Sequence, residues 1–282
     1  MRALSPFVAM CLSVCVVATS VAAPKQPMKK LTHDPNLPAV DLFDAMEDGT
    51  IETTVIAKNS NEANLFVTNR SSAALSVRVP KAVVAVQVLK QLFPPVGRTP
   101  GGGFPGGTTG TGMGQAQPIG GGPQNNNANP NVGVNNQQGN GFNMIGNGNG
   151  VGNGFFSVPS QKTVQVPLKT VCLAHARPDP RPRMKYRLVK LEDYTHDPVL
   201  QQTLEIYVTG EVEVQAAQAA VWHLTDKMSW NDLRSKQIER LGGVEPLPYF
   251  TDKQVDLAEK LIEQAREKTN DRPRRTETAA AK

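Results

Sequence analysis

Cys172 and His175, spaced C-x-x-H, are the pair in this chain whose types and spacing can do chemistry. A thiol beside a base is a potential nucleophile, and the same two residue types supply half of a zinc site. Either use asks for more than a pair. Zinc takes four protein ligands, or three and a water, and no second cysteine pair exists. A nucleophile's base is oriented by a third group, and the sequence singles none out. If Val171–Leu173 is a strand, Cys172 points inward as a small hydrophobe and His175 lies near the strand end. His33, His196 and His223 are scattered without metal-ligand spacing and read as surface or capping residues. No catalytic residue, cofactor-binding residue or metal ligand is assigned; Cys172 and His175 stand as the candidates should the protein be an enzyme.

Binding chemistry is better represented. Arg177, Arg181, Arg183, Lys185 and Arg187 gather positive charge around Asp179, while Pro178, Pro180 and Pro182 stiffen the stretch into an extended loop. This is the candidate anion-binding surface, facing an anionic polymer such as a polysaccharide, a lipid headgroup or an acidic envelope protein. The plainer reading is a solvated connection. Trp222 and Trp230 flank HLTDKMS. They are either platforms, as in a carbohydrate-binding module, or anchors that pin helices to a core. A formal net charge of +5 over 282 residues is too small to point to nucleic acid.

The elements that must position these residues follow from periodicity. Arg2, the apolar run Phe7–Val17 and the small residues Ala18–Ala23 read as a secretory signal over 1–22, cut after Ala22. The expected location is therefore outside the cytoplasm, periplasmic or extracellular, with no membrane span in the mature chain. Cys11 and Cys15 leave with the signal, so Cys172 is the one mature thiol and the core stands on packing alone. Residues 23–40 are polar and proline-bearing, a flexible lead-in.

Residues 41–96 open with a short helix capped by Asp41 and turn to alternation: Ile51, Val55 and Ala57, then 64–68, then Leu75, Val77 and Val79, then 83–92. Residues 155–192 resume the pattern through Phe156, Val158, Val164, Val166, Leu168, Val171, Tyr186 and Leu188. Between them, 97–154 holds 20 of the 24 glycines, and no Lys, Arg, Asp or Glu occurs between Arg98 and Lys162. Such a tract buries little apolar surface against a high ordering entropy, which predicts a disordered insert. It is either a passive spacer or a self-associating segment. It lacks the lysine of a phosphate-cradling loop. Residues 193–270 are helical, with caps at Asp197, Ser229 and Thr251, and 271–282 is a basic, disordered tail.

The segments LFDAMEDGTIETTVIAK, LFVTNRSSAALSVRVPKAVVAV, VCLAHARPDPRPRMKY and QAAQAAVWHLTDKMSWNDL, in this order around a Gly-rich tract, resemble an uncharacterised family of exported bacterial proteins. The resemblance covers Asp41 to Arg240 and implies secretion and a variable insert, with no activity or site residue attached.

Each β half has about 40 residues, near the limit for independent folding, so the two are expected to share one core. The expected fold is α+β: an Ig-like antiparallel β-sandwich carrying the long disordered Gly/Asn-rich loop, followed by C-terminal helices. The expected function is that of a non-catalytic exported interaction or structural protein of the cell envelope.

Overall fold

A computed structural model describes residues 26–88, 116–123, 154–240 and 242–280, with side chains described to Asp271. The signal segment 1–22 lies outside the described residues. The strands are β1 (Ala39–Asp41), β2 (Ile51–Ala57), β3 (Glu62–Asn69), β4 (Leu75–Arg78), β5 (Val83–Gln87), β6 (Ile119–Pro123), β7 (Phe155–Val158), β8 (Thr163–Cys172), β9 (Tyr186–Lys190), β10 (Gln237–Ile238) and β11 (Leu247–Pro248). The helices are α1 (Leu42–Glu47), α2 (Leu191–Tyr194), α3 (Pro198–Tyr207), α4 (Val214–Thr225), α5 (Trp230–Ser235) and α6 (Asp252–Ala280).

The Ig-like sandwich is overturned. Strands β2-β3-β8-β6-β5-β9 close into an antiparallel barrel, and β1-β4-β7 form a separate small mixed sheet. The cause lies inside the glycine tract. Its segment 116–123, buried up to Gly122, supplies β6, which pairs with β8 on one side and β5 on the other. The register runs Ile119↔Cys172, Gly120↔Val171 and Gly121↔Thr170, with Val83↔Gly121 across the other edge.

Steric space explains the glycines that composition alone assigns to disorder. A Cβ on Gly121 would stand 1.8 Å from the Lys169 carbonyl oxygen, and one on Gly122 would stand 2.1 Å from that of Lys81. A Cβ on Gly120 would press at 3.0–3.1 Å on Leu173 and on Leu204 of α3. Ordering glycine costs roughly 0.5–1 kcal/mol more than ordering alanine. Ladder bonds on both edges and the close seat of α3 offset that cost.

Alternation along the strands divides two cores. Val55, Leu65, Val67, Ala85, Ile119, Val166 and Cys172 fill the barrel interior, in one cluster with Leu75, Val77 and Phe156 of the small sheet. A barrel of this size is packed with side chains rather than hollow. Residues from before and after the tract thus share one interior, and the tract's described segment, 116–123, supplies one strand of its wall. The outward residues Val84, Val171 and Leu173 meet Leu200, Leu204, Val221, Leu261 and Ile262 in a second core. The alanines 216, 217, 219 and 220 are buried, so α4 approaches its neighbours closely.

Helix starts carry their chemistry in the sequence. Asp41 accepts from the Phe43 N–H at 3.0 Å, and Asp197 accepts from the Val199 N–H at 2.9 Å, with Pro198 at the first helical position. Ser229 and Asp232 form a capping box on α5. Two stretches expected to be loose are ordered. The Met28 N–H donates to the Thr163 carbonyl at 2.8 Å and Leu31 is buried, so the lead-in lies along β8. The basic C-terminal stretch continues α6 to Ala280.

Candidate functional site

Cys172 ends β8 with its side chain in the barrel core, 1% exposed. Burial, reinforced by the negative charge of Asp179, pushes the thiol up to about 12. The peptide around it is pinned as well. The partner β3 runs out at Glu62↔Lys169, leaving the far end of β8 with one open edge. The side-chain amide of Gln218, on α4, fills that edge. Cys172 N–H donates to Gln218 Oε1 at 2.8 Å, and Gln218 Nε2 donates to the Cys172 carbonyl at 2.8 Å. The sequence reading passed over Gln218. A glutamine set between alanine pairs in a buried helix was the available signal, because buried amides need partners.

His175 leaves the barrel and packs in the other core. Its ring meets Trp222 edge-on at 4.7 Å, and its backbone N–H donates to Asp226 Oδ2 at 3.0 Å. Its pKa is lowered, first by burial and then by the positive charge of Lys236, with Asp226 opposing. No hydrogen bond links the Cys172 thiol to this imidazole among the described residues, so C-x-x-H spacing does not become a nucleophile–base pair. The other histidines are dispersed. His33 Nδ1 lies 3.2 Å from Ser76 Oγ, His196 is exposed, and His223 Nδ1–H donates to the Met228 carbonyl at 2.8 Å. Among the described residues no group of three or more His, Cys, Asp or Glu converges as a metal site.

The tryptophans do not form a paired platform. Trp222 is 4% exposed among Tyr249, Phe250 and His175, with Lys236 Nζ over its ring at 5.7 Å. Trp230 is half-buried and stacked on His223 at 3.9 Å and 9°. Both act as packing anchors for the helices, as large aromatics in a core do.

The cations are different. Arg177, Arg181, Arg183, Lys185 and Arg187 are all exposed. Among the described residues, none of Arg181, Arg183, Lys185 and Arg187 joins an ion pair. The loop is turned rather than extended: Ala176 has φ 62°, and the Met184 N–H closes a turn onto the Arg181 carbonyl at 3.0 Å. Gln117, from the glycine tract, fixes the loop's first half. Its backbone N–H donates to the Pro178 carbonyl at 3.0 Å, and its Nε2 donates to the Arg177 carbonyl at 2.9 Å and to Asp179 Oδ1 at 3.1 Å. The nearby carboxylate is thereby engaged. Lys185 and Arg187 flank the buried Tyr186, so alternation along the chain turns both outward.

Beside Arg187 the barrel has its weakest closure. Strands β2 and β9 meet through the single pair Val55↔Tyr186. A groove of about 550 Å³ opens there, lined by Met46, Ile51, Thr53 and Leu188. Arg187 reaches the same groove, together with the ion pair that Arg70 makes with Glu52.

The molecule is therefore a closed antiparallel barrel with helices packed on one flank and an exposed cationic loop that leads into β9. No protein-family model, curated protein or solved structure matches the chain. Among the described residues, no helix is long and apolar enough to cross a membrane.

Proposed function

We propose that this protein is a non-catalytic, exported binding protein of the cell envelope, and that it recognises an anionic partner through the cations at 181–187. One observation carries the reading. Arg181, Arg183, Lys185 and Arg187 are exposed and free of ion pairs with described residues, on a loop that the core itself anchors through Gln117. Cations held in place but left unneutralised favour an anionic surface, because the ordering entropy of their backbone is already spent. The leader-like N-terminus supports export. The burial of Cys172 weighs against the enzyme alternative built on it.

The test compares the mature chain with a variant carrying Arg181→Gln, Arg183→Gln, Lys185→Gln and Arg187→Gln. The wild type should elute from a heparin-type resin at clearly higher salt, and should capture an anionic component from an envelope fraction. Equal elution of the two proteins would end the reading.

A further inference from the structure

We propose that the seam between β2 and β9 is a docking groove for an extended, acidic segment of a partner polypeptide. The inference rests on the anion-binding reading above and names the partner's chemistry.

The backbone argument comes first. β2 pairs with β3 along its whole length, from Ile51↔Asn69 to Ala57↔Ala63. β9 likewise spends Tyr186–Lys190 on β5. Toward each other the two strands offer one pair, Val55↔Tyr186. Ile51–Thr53 and Leu188–Lys190 therefore face the seam without a strand partner among the described residues; Ile51, Glu52, Thr53 and Leu188 line the groove, and Met46 of α1 closes one side of it, its Sδ 3.5 Å from Thr53 Oγ1. Open strand edges are templates for an added main chain.

The side-chain argument fixes what that chain carries. Half-buried Met46 and the margins of the core residues Ile51 and Leu188 make the groove apolar between its charged rims, which suits a small aliphatic side chain. Arg70 is held by Glu52, so neither charge of that pair is available. Arg187 lines the groove, and Lys185 lies beyond that lining, two residues earlier on the same side of the chain; both are exposed, and neither joins an ion pair among the described residues. That repeat is about 6.8 Å. Carboxylates at alternate positions of an extended peptide repeat at the same distance.

The acidic residues of α1 and its flanks do not compete. Asp41 caps α1 and faces Arg78, Asp44 lies 3.8 Å from Lys190, and Asp48 accepts from the Thr50 N–H. Glu47 does not line the groove. A glycan is disfavoured because, among the described residues, no exposed aromatic face adjoins the seam: Tyr186 is 5% exposed. Peptide is the occupant that uses both the open backbone and the alternating cations.

The experiment measures binding of fluorescent eight-residue peptides to the full mature chain, with heparin in parallel. One peptide alternates Glu and Val; the others alternate Lys and Val, carry the acidic composition in blocks, or carry N-methyl groups on alternate amides of the acidic sequence. The alternating acidic peptide should bind at least tenfold tighter than the other three, and Arg187→Glu and Thr53→Trp should each weaken it at least tenfold. Equal binding of the alternating, blocked and N-methylated acidic peptides would overturn the docking proposal while leaving anion binding standing. Heparin binding without peptide binding would do the same and assign a polymer partner. Binding of neither would remove both readings. The N-methylated arm keeps the test decisive should Thr53→Trp fail to fold.

Discussion

At Cys172 the folded thiol stands near pKa 12, above its unfolded value near 9.0, because the barrel interior disfavours the thiolate. A group whose pKa rises on folding contributes stability in its protonated form. That contribution is complete below about pH 9 and declines as pH climbs toward 12. Cys172→Ala should therefore show a flatter alkaline stability profile than wild type. An aromatic disulfide reagent should label Cys172 only in denaturant, and rapid labelling of the native chain would show an accessible thiolate. The glycines of β6 give a second residue-scale expectation. At Gly121 the obstacle is a backbone carbonyl, which cannot swing aside, so Gly121→Ala should cost about 1–3 kcal/mol in a urea melt. At Gly120 the obstacles are the ends of leucine side chains at 3.0–3.1 Å, which can rotate, so Gly120→Ala should cost less. The reverse order would contradict the placement of the strand.

Among the elements, the legible ones were those whose hydrophobic pattern and punctuation agree. Asp197 with Pro198, and Ser229 with Asp232, announce α3 and α5 because a capping side chain must stand at a fixed distance before the first turn. Alternation likewise marks β2, β3, β4 and β8. Strand β6 was illegible for a physical reason. Its IGGGP sequence has one large apolar residue, so it carries no period of two, and its fitness lies in the absence of side chains where neighbours come close. Without β6 the two β halves read as facing sheets; with it they close into a barrel. The candidate site was half legible for a similar reason. The cations stand out by composition, but the groove depends on a ladder that stops after one pair, which no local pattern records. Gln218 joins the elements across this gap. Gln218→Leu would leave the Cys172 N–H and carbonyl without partners in the core, at about 1–3 kcal/mol for each group. A loss of at least about 2 kcal/mol is expected. An unchanged midpoint would mean that α4 is not tied to β8 through this amide.

For the molecule as a whole, the tract is a connector that also contributes a strand, and its two roles can be separated. Residues 116–123 carry the ladder to β5 and β8 and, through Gln117, the hold on the cationic loop. Removing 97–154 and closing the chain with a short turn deletes both. It opens β5 over Val83–Ala85 and β8 over Leu168–Cys172, exposes Val84 and Val171 beneath α3, and takes Ile119 out of the barrel core. Filling five strands' worth of closure around an interior built for six requires repacking that a native core resists. Removing only 99–113 and 131–147 keeps β6 with a shorter tether on each side. Composition predicts disorder for these stretches, and halving a loop's length lowers its closure penalty by only about 0.6 kcal/mol, so the effect on stability is small. The partial deletion should therefore melt cooperatively near the wild-type temperature and keep its retention on heparin-type resin. The full deletion should lose cooperative melting and, with Gln117 gone, part of that retention even where soluble protein is recovered. Equal melting of the two deletions would show that β6 is dispensable and that the barrel closes without it.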